Sequence, residues 1–434
     1  MSEFYEIAYA AASNRLCFFT GTGFSKAVSD NQAPSWQGLL EKVCDLTENT
    51  EEIKKSLFPL SGVPPLSLEE AAQSVSLELL KLDKNIHNEI AKIIKNIVLD
   101  GDNSDIIDFL SKKSFRVITT NYDKLVQELI GEQECHTITP GLPIPRSLAQ
   151  AKVYHVHGSV DSPENMVVTS DDYFKFINSE SYFSRKLSTT LHENTIVILG
   201  YSLGDTNLKA IISDYKGFSR NHVIGSNIFL VSRSTVSQHV KDYYSHCYGI
   251  RVLDDTDVHT FFKTLNTYMP EAENYSAQSI SNINNVIFRN YSYQDTYLNS
   301  ENSFFDIISS IAAIGLSIDD SRVVTALGNV IKSKKSLTKI SGAWEQYTHL
   351  ANWLIYLASI LELKGTTLET IYLDATHESM TTMSRSLTFG YSWQAYKAWN
   401  RRWSSIIASN RVLIKNYILK TTTDLDALSI VNRT

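Results

Sequence analysis

Short apolar segments bounded by polar residues recur through the first half of the chain. Arg15 to Thr20, Phe115 to Thr119, Lys152 to His157, Thr195 to Leu199 and Asn227 to Val231 each read as a strand, and Ile250 to Leu253 as a last one. Several are uniformly apolar rather than alternating, which marks strands covered on both faces of a parallel sheet. Between them the spacing is helical. Residues 1–14 predict a leading helix. Ser35 predicts an N-cap before Trp36, and Ser67-Leu68-Glu69-Glu70 a capping box before Ala71, Val75 and Leu79. Ile86, Ile90, Ile93, Ile94 and Ile97 keep a helical period over residues 84–110. About 90 residues thus separate the first two strands, where a simple βαβ crossover takes about 30. The excess predicts an inserted helical layer above the strand ends. Residues 236–244 predict a further helix. Residues 270–303, rich in Asn, Ser and Tyr, predict a linker. Beyond it, Val323, Val324, Leu327, Val330 and Ile331 form one helical stripe, and Leu350, Leu354, Leu357 and Leu361 another.

The unusual polar clusters fall where strands end: Gly21-Thr22-Gly23-Phe24-Ser25, Thr120-Asn121-Tyr122-Asp123, His157-Gly158 and Gly200-Tyr201-Ser202-Leu203-Gly204-Asp205. Ligands of open α/β sheets bind beyond the carboxyl ends of the strands. Strand, glycine turn and helix together present backbone N–H groups to a pyrophosphate. Gly21 and Gly23 allow φ > 0 and remove β-carbons that would hold a ligand away. The helix is expected after Ser25. The turn lacks the third glycine of the dinucleotide fingerprint, so a plain tight turn is the alternative for it alone. The expected fold is α/β: a Rossmann-like, largely parallel sheet with inserted helices over 1–269, a linker over 270–303, and an all-helical C-terminal domain over 304–434.

Composition narrows the class. The chain has 434 residues, 43% hydrophobic and 20% charged, enough for a sizeable core in two or three domains. A net charge of −7 argues against direct nucleic-acid binding, which favours a basic surface. The start, Met1-Ser2-Glu3-Phe4, lacks a basic leader, and the longest apolar run, Phe304 to Ile318, is too short to span a bilayer. Cys17, Cys44, Cys135 and Cys247 form no CxxC pair, so neither a zinc site nor a disulfide framework is evident. A soluble cytoplasmic protein without membrane contact is expected.

The four clusters, in this order, resemble the motifs of the sirtuin superfamily, and more closely its bacterial SIR2-like branch of anti-phage defence proteins than the protein deacylases. The resemblance covers residues of about 1–265. It implies an NAD-binding catalytic domain that consumes NAD as substrate. Gly21, Thr22, Gly23, Phe24 and Ser25 would hold the pyrophosphate and adenosine side, with Thr120 beside them. Asn121 would position the nicotinamide ribose and the attacking water. Asp123 would buttress that loop or bind ribose, and His157 would be the general base. Gly200, Ser202 and Asp205 would line the adenosine ribose pocket. The deacylases carry a four-cysteine zinc module that has no counterpart here, and a Pro-Asp-Phe-Arg segment where this chain has Pro34-Ser35-Trp36-Gln37. No zinc is therefore expected.

The chemistry suits these residue types. Cleaving an N-glycosidic bond passes through an oxocarbenium-like sugar and needs a held ribose, a polarised nucleophile and a dry pocket. Histidine titrates near neutrality and can take a proton from water or a hydroxyl. Asparagine offers donor and acceptor without charge. Plainer readings stand beside these. His157 could be a hydrogen-bonded structural residue. His155, deeper in its strand, is read as structural, and a His155/His157 zinc pair lacks further ligands. Asn121, Asp205 and Asn207 could be helix caps. Trp393, Tyr396, Trp399 and Trp403 are read as core or interface. The expected activity is hydrolysis of NAD to nicotinamide and ADP-ribose in anti-phage defence by NAD depletion (abortive infection). The alternatives are an NAD-dependent deacylase and a non-catalytic module binding NAD or ADP-ribose. Expected partners are further copies of the chain, or a protein of the same operon such as an ATPase or nucleotide-processing protein.

Overall fold

The computed structural model describes residues 3–112, 114–131, 133–146, 149–178, 182–201, 228–289, 291–313, 316–317, 319–342, 344–386 and 391–433. Among these, seven strands form one sheet in the order β3-β4-β2-β1-β5-β6-β7, with every pairing parallel. They are β1 (Leu16–Thr20), β2 (Phe115–Thr119), β3 (Cys135–Ile138), β4 (Ala151–His155), β5 (Thr195–Leu199), β6 (Ile228–Val231) and β7 (Ile250–Leu253). The apolar runs become strands because the central ones are covered on both faces: β1 is buried throughout, as is β6. The edge strand β3, Cys-His-Thr-Ile, has two half-buried central residues and too weak a pattern to be read from the chain. The third run ends at His155, so His157 lies beyond the strand rather than in it.

From β1 the chain builds first toward β2, β4 and β3, then returns to add β5, β6 and β7 on the other side. The order reverses between β1 and β5, the switch point where such sheets leave a crevice.

The caps at Ser35 and Ser67 form as their sequences require. Ser35 accepts from Gly38 N–H, and Ser67 exchanges both capping-box bonds with Glu70. The apolar residues of Trp36–Cys44, Leu68–Leu80 and Ile86–Ile94 make a separate core with Tyr122, Val160, Met166 and Val168. The inserted layer therefore sits on the loops that follow β2 and β4. The helical stretch expected over 84–110 is two helices, Ile86–Ile94 and Ser104–Lys112, parted around Gly101, whose φ is +77°.

The expected linker is not one. Residues 270–289 continue the helix Val258–Arg289, with Pro270 inside it, and helices Asp295–Leu298 and Ser303–Ala313 follow. Its Asn and Ser residues hid a buried apolar line that includes Ala272, Ile283 and Ile287. This long helix packs on the leading helix Glu3–Ala12, and one continuous core runs from the sheet into the C-terminal helices. Trp399 and Trp403 are buried in that core and Trp353 stacks on Phe304, while Trp393 and Tyr396 are half-buried.

The leading helix is held from both sides. Arg251 of β7 makes a bidentate ion pair with Glu6 and lies 4.2 Å over the Phe229 ring. From the C-terminal side, Asp306 accepts 3.4 Å hydrogen bonds from the hydroxyls of Tyr5 and Tyr297, and Tyr9 bonds Ser279. Burial pushes the Asp306 carboxyl up to about 7. Its folded value exceeds its unfolded one, so the fold favours the protonated acid. That contribution is full below about pH 4 and is lost as pH rises toward 7. Asp306→Asn should therefore stabilise the protein at pH 8 by more than it does at pH 4, with a difference of roughly 2–4 kcal/mol. Urea denaturation at the two pH values measures it, and equal shifts at both would contradict the assignment.

Candidate active site

The register of the sheet sets the site. Thr20 pairs with Thr119 and Leu199, and Thr119 with His155, so β1, β2, β4 and β5 end on one row. The segments after them are laced by main-chain bonds. Thr120 N–H donates to Thr20 O at 3.3 Å, Val156 N–H to Thr119 O at 3.0 Å, and Val160 N–H to Tyr122 O at 2.9 Å. Gly21 N–H donates to Leu199 O at 3.1 Å and Gly23 N–H to Gly200 O at 2.7 Å.

The glycine turn differs from its expectation in two ways. Helix Thr22–Val28 begins directly at the turn rather than after Ser25. Gly21 has an ordinary extended backbone with φ −120°, and the positive φ belongs to Gly200, at +62°. What the turn needs is close approach. A β-carbon on Gly23 would stand 2.8 Å from Gly200 Cα, and one on Gly200 would stand 1.9 Å from Phe24 N. The N–H groups of Gly21, Gly23 and Phe24 all donate to protein carbonyls. The Phe24 side chain is core, 2% exposed, and Thr22 is half-buried beside it.

Ser25, Asn121 and Asp123 meet. Asn121 Nδ2 donates to Ser25 Oγ at 2.7 Å, and Ser25 Oγ donates to Asp123 Oδ2 at 2.7 Å. Burial raises the Asp123 pKa, against the pull of the Ser25 hydroxyl and the Leu125 N–H. The direction of donation fixes the asparagine amide: its nitrogen faces Ser25, which leaves the oxygen as an acceptor on the other side. Thr120, half-buried, precedes this cluster. Ser202 and Asp205 lie outside the described residues, so the expectation for them is not placed.

His157 is 5% exposed, in the turn after β4. Its ring meets Tyr173 and Phe176 edge-on, with centroids 5.4 and 5.3 Å away, and its carbonyl accepts from Val167 N–H at 2.9 Å. Both aromatics belong to helix Ser170–Asn178, which the apolar pattern does not reveal. Its signal was Thr169-x-x-Asp172, an N-terminal capping pattern: the Asp172 carboxylate accepts from the N–H and hydroxyl of Thr169. Asp172 also pairs with His87 of the inserted layer at 2.8 Å. The Tyr122 hydroxyl donates to Val167 O at 2.6 Å. His155 is wholly buried, and burial lowers its pKa to about 4. Its ring nitrogens lie 3.0 Å from Asn121 O and 2.5 Å from Gln127 Nε2. Among the described residues, no three His, Cys, Asp or Glu side chains form a group able to hold a metal ion, and no helix is long and apolar enough to cross a membrane.

A seven-stranded parallel sheet, helices above its carboxyl edge, and Asn121 and His157 beyond adjacent strand ends make this an α/β protein with its polar cluster at the switch-point side of the sheet. Residues 116–253, about a third of the chain, match the family model of the SIR2-like domain. It is 25% identical over 258 residues to defense-associated sirtuin 2 of Bacillus subtilis, covering 57% of this chain and 24% of that protein. It is 31% identical over 99 residues to NAD(+) hydrolase ThsA of Bacillus cereus, covering 22% of this chain and 21% of that protein. To ThsA of Cytobacillus dafuensis it is 24% identical over 217 residues, covering 48% and 39%. The matches thus span well under half the length of these relatives.

The close approach at the switch point sets an expectation. Gly200→Ala should cost roughly 3 kcal/mol or more, since both its φ and its neighbours oppose a β-carbon. Gly101→Ala, whose β-carbon meets nothing within 4 Å, should cost only about 1–2 kcal/mol for its φ. Equal denaturation midpoints for the two variants would show that the contact between the turns does not carry this weight.

Proposed function

We propose that this chain is an NAD+ glycohydrolase that cleaves NAD to nicotinamide and ADP-ribose and depletes NAD in bacterial anti-phage defence. The observation that carries the reading is the pair Asn121 and His157 on neighbouring strand ends, the first with its amide aimed by Ser25 and Asp123, the second walled by aromatic rings. The relatives named NAD(+) hydrolase and defense-associated sirtuin support the substrate and the setting.

In the proposed reaction the bond between the ribose C1′ and the nicotinamide nitrogen breaks. Its electron pair leaves with nicotinamide, which departs neutral. A water held by the Asn121 amide oxygen adds to C1′, and its proton passes to His157. Burial of His157 among aromatic rings keeps other water from the developing cation. Ser25, Asp123, Thr120 and the turns Gly21–Phe24 and Gly200 hold the rest of NAD, with Ser202 and Asp205 assigned to the adenosine ribose. NAD is the substrate, and no zinc takes part.

Unrestrained NAD loss would kill the producing cell, so activity is gated by assembly with further copies or with an operon partner in the cytoplasm. A differential binding energy of about 5.5 kcal/mol moves such a two-state equilibrium from 1:99 to 99:1. Light scattering and NAD turnover on the full chain, alone and with its genomic neighbours, read the gate.

The chemistry is tested by chromatography of NAD, nicotinamide and ADP-ribose with purified protein. His157→Ala should lose about 10²–10⁴-fold in turnover and Asn121→Ala about 10²-fold, with unchanged circular dichroism. A folded variant that keeps wild-type turnover removes that residue from its role. Binding of NAD with no product in any assembly state would leave a regulatory binding module instead.

A further inference from the structure

His155 is the last residue of β4 and is wholly buried. What histidine adds is direction. Asn121 O can only accept, so the His155 Nδ1, 3.0 Å away, carries the proton. The ring is neutral in its wholly buried site, so Nε2 is a bare lone pair. Gln127 Nε2 stands 2.5 Å from it and donates. With the glutamine amide reversed, an oxygen would face Nε2 and demand an imidazolium, which burial opposes. Gln127, itself 2% exposed, thus pairs the bare Nε2 of the tautomer that the Asn121 carbonyl sets.

That tautomer grips one particular peptide. Asn121 is held at its N–H by Thr119 Oγ1 at 3.1 Å and at its carbonyl by His155. The neighbouring stitches between the loops, Val156 to Thr119 and Val160 to Tyr122, are main chain to main chain and do not depend on side-chain identity. His155 is a point where the sequence itself sets the placement of Asn121.

We propose that His155 and Gln127 are positioning residues for NAD cleavage: the glutamine pairs Nε2 and holds the ring in place, and the imidazole holds the Asn121 main chain so that its amide meets the reacting ribose. The proposal rests on the glycohydrolase reading above. It also revises the purely structural role that the sequence assigns to His155.

The test uses the full chain under conditions where the wild type consumes NAD. His155→Leu should lower kcat roughly 10–100-fold, because small misplacements of a reacting group carry that cost. KM should stay within about threefold, since substrate contacts are kept. His155→Asn places an amide N–H near Nδ1 and should recover most of kcat. Gln127→Leu removes the partner of Nε2 and should lower kcat partly, and nitrogen NMR of histidine-labelled wild-type protein should show His155 as the Nδ1–H tautomer. If His155→Leu does not fold, Gln127→Leu and the wild-type spectrum decide. Full kcat in a folded leucine variant, a change in KM alone, a folded but unrescued His155→Asn, or an Nε2–H tautomer in the wild type would each overturn the proposal and leave the glycohydrolase reading intact. A wild type that consumes no NAD in any assembly state would overturn that reading, and this proposal with it.

Discussion

The site depends on two main chains coming closer than any side chain allows. Gly23 N–H reaches Gly200 O at 2.7 Å, and neither residue could carry a β-carbon there. This contact closes the crevice between β1 and β5 at its base. It anchors the first turn of helix Thr22–Val28, which brings Ser25 under Asn121 and Asp123. The register of β2 and β4 then levels Asn121 with the turn that holds His157. Much of the site therefore hangs from backbone geometry, with His155 and Thr119 the side chains that grip the Asn121 peptide.

Much of this was legible in the chain. Apolar runs gave β1, β2, β4, β5, β6 and β7, most plainly β1, β5 and β6, because strands buried on both faces have no polar side to show. Ser35 and Ser67 announced their helices because caps act through local bonds. The positions of Asn121 and His157 at strand ends followed from the same runs. What escaped was decided by partners far away. The polar texture of 270–289 hid a helix because only a narrow line of it, through Ile283 and Ile287, meets the core. The role of the two turn glycines was misread as conformational freedom, since a sequence does not show that Gly200 comes to lie against them. The bonds of His155 could not be foreseen, because both acceptor and donor come from a loop and a short helix more than 25 residues away.

The helical region after residue 290 is likewise not an appendage. Its core is continuous with that of the sheet, and the leading helix is gripped by Arg251 on one side and Asp306 on the other. A change in the packing of these helices thus has a covalent and a packed route to β1, which ends in the glycine turn. The proposed gating has this packed route as its physical basis.

The bond from Tyr5 to Asp306 joins residues 301 positions apart. During synthesis at about 5–20 residues per second, Tyr5 waits roughly 15–60 s for Asp306. The apolar face of the leading helix, with Ile7, Ala8 and Ala11, is covered in stages, first by β1 and β5 and then by helix Val258–Arg289, while β1, β2, β4 and β5 are at hand by residue 199. Protease sensitivity of ribosome-stalled chains of increasing length reports this order directly. The strands of the candidate site are thus synthesised well before the last partner of the leading helix exists.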